Sequence, residues 1–166
     1  IASFVPKAHT PFQWQAQADI ETLESKRKYM SRRKIKHIKM SFHDSETSYL
    51  EGVLARGDRR LAEVIEKVWQ KGGRFDGWTE YFKYQRWLEA FAECGIDPAF
   101  YTERRRSYDE VLPWDFIDTG LSKAYLRAEN ERALQLQNTP DCRTAGCVGC
   151  GVCPSFGIEV AGVGRG

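Results

Sequence analysis

At 166 residues, 42% apolar and 13% aromatic, the chain has the material for one domain with a real core, which excludes a disordered polymer. Its apolar runs are only a few residues long, which excludes a membrane-spanning helix, and no charged region followed by an apolar stretch marks a signal peptide. The net charge of +2 hides a local imbalance: residues 26–39, KRKYMSRRKIKHIK, hold five lysines and three arginines and no acid.

The N-terminal IASFV is apolar and β-prone and stops at Pro6, which predicts a strand. PKAHTPFQW follows with two prolines and no helical period, a loop packed through Phe12 and Trp14. Residues 18–33 read as a helix with Ile20, Leu23, Arg27 and Met30 along one side. In KHIKMSFHD the residues Ile38, Met40 and Phe42 alternate with His37, Lys39 and Ser41, and this period of two predicts a second strand. Asp44 or Ser45 then opens a helix stopped at Gly57, and Asp58 caps the next one. There Leu61, Val64, Ile65, Val68 and Trp69 give the clearest helical stripe of the chain, ended by Gly72 and Gly73. Thr79 opens a third helix, with Tyr84, Trp87, Leu88 and Phe91 as its buried stripe. Residues 96–120 are irregular, and Ser122 opens a last helix to about Gln137. The order strand, helix, strand and then helices predicts an α/β start, the end of a sheet or barrel, leading into a mostly helical extension with a C-terminal cysteine-rich metal knot. The boundaries that follow are 1–43, 44–137 and 138–166.

Four of the five cysteines lie in DCRTAGCVGCGVC, at Cys142, Cys147, Cys150 and Cys153, with spacing C-x4-C-x2-C-x2-C. Clustered thiols without a secretory signal point to a reducing, cytoplasmic compartment and to metal binding rather than disulfides. Gly146, Gly149 and Gly151 let the backbone turn the sulfurs toward one point. Thiolates are soft ligands, suited to zinc or to an iron–sulfur cluster. Four-cysteine zinc sites usually have two knuckles separated by a long loop, which is missing here. The C-x2-C-x2-C run is closer to the ferredoxin arrangement, so an iron–sulfur cluster of the [4Fe–4S] type is preferred, with zinc as the alternative. Cys94, at the end of an aromatic helix, reads as a buried, inert thiol.

Several longer stretches carry a family likeness: SFVPKAHTPFQW, SFHDSETSYLEGVLARGDRRL, GGRFDGWTEYFKYQRWLEAF, VLPWDFIDTG and the terminal DCRTAGCVGCGVC. Together they resemble the C-terminal region of radical SAM proteins, in a subfamily with an N-terminal cobalamin-binding-like domain. The resemblance implies a C-terminal fragment of a longer chain. That fragment would hold the closing strands of a radical SAM-type barrel in residues 1–43, a helical extension and an auxiliary iron–sulfur site. It also implies S-adenosylmethionine, and cobalamin, as cofactors of the full-length protein, and the remainder of that chain as the first partner. The C-x3-C-x2-C motif that holds the radical-generating cluster in that family does not occur in this chain.

Three other places carry candidate chemistry. His9 lies between two prolines after the first expected strand, where barrel active sites form, although a hydrogen-bonded loop histidine is the simpler reading. His43 and Asp44 follow the second expected strand and bring acid–base groups, with a helix cap as the simpler role for Asp44. Lys26, Arg27, Arg32, Arg33, Lys34 and Lys36 are candidates for tracking the phosphates of an RNA partner, against the usual meaning of such a run, a solvated helix face. RRR at 104–106 is a second basic point. The aromatic group Trp69, Phe75, Trp78, Tyr81, Phe82, Tyr84 and Trp87 is expected to pack between helices.

Overall fold

The computed structural model describes residues 1–33 and 36–158. The chain divides into two units, Ile1–Lys7 with Gln15–Arg106, and Ala8–Trp14 with Ser107–Gly166.

Among the described residues the first unit holds the helices α1 (Ile20–Arg32), α2 (Ser45–Arg56), α3 (Leu61–Gln70), α4 (Tyr84–Glu93) and the short α5 (Ala99–Thr102). Each long helix starts or stops on readable chemistry. Asp19 caps α1 by accepting the Thr22 N–H at 2.6 Å, and Asp44 caps α2 through the Thr47 N–H at 2.8 Å. Gly95, at φ 63°, takes the left-handed conformation just past α4 that a side chain would resist. The core joins Tyr49, Leu50 and Val53 of α2 to Leu61, Val64 and Val68 of α3, to Trp87, Ala90 and Phe91 of α4, and to Tyr101 of α5. Helix α1 has no buried residue and is held at its edge, by Ile20 against the core and by the Ser45 hydroxyl donating to Glu24 at 2.6 Å.

Polar groups inside this unit are tied to backbone. Arg56 is fully buried at the end of α2 and donates to the Gln15 carbonyl. Arg106 is also buried and donates to the Arg56 carbonyl at 2.9 Å, so one arginine of the RRR run belongs to the interior. The Gln17 amide donates to the Ser48 carbonyl at 2.8 Å. Buried amides and guanidinium groups need such partners, since an unmet one costs about 1–3 kcal/mol.

The expected strands are not there. Among the described residues there is no strand, sheet or barrel, and residues 1–43 are extended chain, turns and α1. The two segments expected as strands do meet: the Ile1 amino group donates to the Ser41 carbonyl, and the Ile1 carbonyl accepts from the His43 N–H at 2.9 Å. That is one exchange of bonds, with no ladder beyond it. Ile38 stays 58% exposed, so the alternation is not backed by a second layer that would bury its apolar face. The α/β start and the closing barrel strands are therefore replaced by a helical unit.

Asp58 shapes the turn into α3. Its carboxylate accepts from the Arg60 N–H and guanidinium at 3.0 Å and lies 3.3 Å from the Tyr101 hydroxyl. Bonding to Arg60 holds the carboxyl down at about 2 against an ordinary 3.8. A depressed carboxyl contributes stability that is complete above its unfolded-state value and disappears as pH falls through about 2. Asp58→Asn is expected to cost about 1 kcal/mol at neutral pH, since the pair is partly solvated. In urea melts the variant and parent should converge near pH 2; a gap that stays constant from neutral to acid pH contradicts the assignment.

The second unit contains α6 (Lys123–Leu134), α7 (Cys142–Ala145) and α8 (Val152–Phe156). Ser122 caps α6 by accepting the Tyr125 N–H at 3.1 Å. The core is small: Trp14, Leu112, Trp114 and Leu126, with Ala8, Tyr108 and Leu121 packed on it. The proline-flanked loop thus supplies its central residue, Trp14, while Phe12 stays 38% exposed. Among the described residues no helix is long and apolar enough to cross a membrane.

Candidate functional site

The cysteine segment follows α6 and is more structured than a loop. Asp141 caps α7 by accepting the Arg143 N–H at 2.9 Å, which fixes Cys142 as the first residue of that turn. Gly146 ends it at φ 91°. Cys147 is exposed and takes the Gly149 N–H on its sulfur at 3.4 Å. Gly151, at φ 97°, starts α8, which carries Cys153. The segment is pinned to the start of α6 by the Ser122 N–H donating to the Cys150 carbonyl at 3.0 Å. At Gly151 a Cβ would come within 2.8 Å of the Gly120 carbonyl, so neither the turn nor the packing there accepts a side chain. The Tyr125 phenol is pushed up by burial first, then by Glu129 and the nearby Cys150.

Cys142, Cys147, Cys150 and Cys153 are all free thiols. Their chemistry fits a thiolate-held metal, and the three positive-φ glycines between them fit a loop that wraps one centre. The geometry is not closed: among the described residues no three His, Cys, Asp or Glu side chains are placed together to hold a metal ion. Where the metal knot is expected there are two short helical turns, tied at Cys150 to Ser122, with the donors in sequence but not gathered among the described residues.

The other candidates are scattered. His9 has a left-handed backbone (φ 54°) and a buried Nε2 with no partner among the described residues, and its backbone N–H donates to the Gln13 side chain at 3.1 Å. His43 is exposed, its Nδ1 lies 2.7 Å from the Ser48 hydroxyl, and it lines a cleft of about 340 Å³ with Ile1, Phe4, Leu23, Arg27 and Met30. Ser48 is buried, so this pair presents no accessible nucleophile. Asp44 is occupied as the cap of α2. Burial acts to raise its carboxyl, and the Thr47 backbone and hydroxyl bonds outweigh it, leaving the group below its ordinary value. Lys26, Arg27 and Arg32 stand exposed on α1, Arg33 stacks over Tyr29 at 4.5 Å and Lys36 is exposed. Lys34 lies outside the described residues, as does the terminal GVGRG. Cys94 packs against the first core, and burial pushes its thiol up, as an inert cysteine requires.

Two features escaped the sequence reading. The helical turns around the cysteines were signalled only by Asp141 before CRTA, a capping pattern too short to separate from a loop. The aromatic group is split: Trp87 is buried, whereas Trp69, Phe75, Trp78 and Tyr81 are each more than half exposed. The three residues from Phe75 to Tyr81 lack the helical period that Trp87 and Phe91 share, and that lack is the signal of their exposure.

Comparison with protein-family models, with curated proteins and with solved structures finds no match to this chain.

Proposed function

We propose that the chain is the C-terminal part of a radical SAM iron–sulfur enzyme, carrying an auxiliary iron–sulfur site on Cys142, Cys147, Cys150 and Cys153. The observation that supports it most is the run of four free thiols separated by glycines that all take positive φ. Ser122 would anchor Cys150 through its carbonyl, Asp141 would set Cys142 at the start of α7, and the Gly149 N–H would donate to the Cys147 sulfur. Such N–H donors stabilise thiolates and tune a cluster. When bound, the cluster would supply electron transfer or a binding point for substrate. S-adenosylmethionine and cobalamin belong to the rest of the full-length protein, which is also this segment's proposed partner.

A second reading, a zinc-stabilised RNA-binding module, is favoured by α1, whose cations are exposed and which buries no residue of its own. Metal analysis separates the two. Protein prepared without oxygen is expected to be brown, with iron and acid-labile sulfide in near-equal amounts. Colourless protein with one zinc per chain would sink the iron–sulfur reading and leave the second.

A further inference from the structure

The last turn of α3 and the segment that follows it turn aromatic side chains outward. Trp69, Phe75, Trp78 and Tyr81 are 58, 68, 58 and 53% exposed. Phe75 is held at φ 58°, a region that a bulky side chain enters only under strain, and it is the most exposed of the four. The rings form a group without stacking flat: Phe75 meets Trp78 edge-on at 5.9 Å between centroids and Tyr81 at a tilt at 6.0 Å. Their planes therefore point in different directions, and each of these rings stays more than half exposed.

The charge around them is cationic. The Arg74 guanidinium lies over the Trp69 ring at 4.8 Å and donates from Nη1 to the Trp69 and Gly73 carbonyls at 2.7 Å. Arg74, Lys83 and Arg86 have no carboxylate partner among the described residues, whereas Lys71 is paired with Glu89 and Glu93. Residues 67–86 hold five lysines and arginines against two acids, Asp76 and Glu80. Asp76 is taken up by the Trp87 indole N–H at 2.8 Å.

We propose that residues 69–86 form a stacking platform for single-stranded nucleic acid. The rings of Trp69, Phe75, Trp78 and Tyr81 take unpaired bases, and Arg74 and Lys83 take phosphates. Base–aromatic stacking together with a cationic backbone track is how sequence-tolerant single-strand binders work. The charge complements a phosphate chain, and the stretch WQKGGRFDGWTEY contains no Leu, Ile, Val or Met to fill a protein-docking face. The inference uses residues other than those of α1 and does not depend on the metal.

The test is fluorescence anisotropy on the full chain with labelled oligo(U) of about 12 nucleotides, oligo(dT) of the same length, and the oligo(U)·oligo(A) duplex. Single strands should bind more tightly than the duplex, and a preference between oligo(U) and oligo(dT) identifies RNA or DNA as the source. Trp78→Ala and Phe75→Ala should each weaken single-strand binding about tenfold, with Trp78→Phe recovering most of it. Arg74→Gln should weaken binding and make its salt dependence shallower. Quenching of the intrinsic tryptophan fluorescence by unlabelled oligo(U) reads the same contact in the parent protein, should an alanine variant not fold. Unchanged binding in Trp78→Ala and Phe75→Ala overturns the proposal, as does the absence of quenching or equal affinity for the duplex. Self-association of the chain that Trp78→Ala abolishes also overturns it, in favour of a protein contact. Binding that survives in the ring variants but falls for duplex and single strand alike in Lys26→Gln with Arg32→Gln places the contact on α1 and overturns the platform alone.

Discussion

Trp14→Ala is expected to destabilise the second unit by about 3–5 kcal/mol, the range for truncating a buried tryptophan. Trp14 is wholly buried and meets Tyr108 edge-on at 4.9 Å. The Tyr108 hydroxyl in turn donates at 2.7 Å to Asn130 of α6, itself buried. Beside it, the Gln13 side chain accepts the Trp114 indole N–H at 2.7 Å. Only four residues form the buried centre of this unit among those described, so removing the largest side chain leaves few apolar contacts that can close the hole. Phe12→Ala, two residues away and more than a third exposed, is the control and should cost less than about 1 kcal/mol. Urea unfolding followed by near-ultraviolet circular dichroism reads the difference. Equal losses in the two variants would mean that the loop does not carry the core.

The helices were legible because their signals are local. Asp44 and Ser122 cap where the sequence places them, and Leu61, Val64 and Val68 face inward at their 3.6-residue spacing. Starts were less legible where no side chain accepts a backbone N–H. The helix expected from Thr79 begins at Tyr84, because turns such as Phe75 to Trp78 and Trp78 to Tyr81 come first. The strands failed for a different reason. Ile38, Met40 and Phe42 do alternate, but a strand exists only if a neighbour supplies its ladder, and that neighbour is a non-local property. Among the described residues the segment finds one pairing, at Ile1.

The candidate site divides along the same line. Cysteine spacing and the intervening glycines can be read directly, since ligand order along a loop is a sequence property. Whether the sulfurs converge is not, because convergence is a property of the folded backbone, and among the described residues they are not gathered. The exposed rings at 75–81 run against expectation because aromatic content suggests burial, whereas only period and neighbours decide it; Trp69 keeps the helical period of α3 and is exposed nonetheless. Gly72 and Gly77 flank Arg74, Phe75 and Asp76, and a segment broken so often by glycine has no helical face to hide its rings on.

Cys150→Ala is expected to remove nearly all iron from protein reconstituted without oxygen, while Cys94→Ala retains it. Cys150 occupies the centre of the C-x2-C-x2-C run, and its carbonyl ties the segment to Ser122. Three remaining thiolates can still hold iron weakly, which makes the loss steepest after a chelator challenge. Cys94 lies at the end of α4, in the first unit, partly buried against the first core, with its thiol pushed up by that burial. It should therefore report only a small stability change, and its iron content and visible absorbance should match the parent. Alanine is preferred to serine at Cys150 because a hydroxyl can itself ligate iron and mask the loss. Full iron retention in Cys150→Ala, or equal loss in both variants, would show that the bound iron is not held by the clustered thiols.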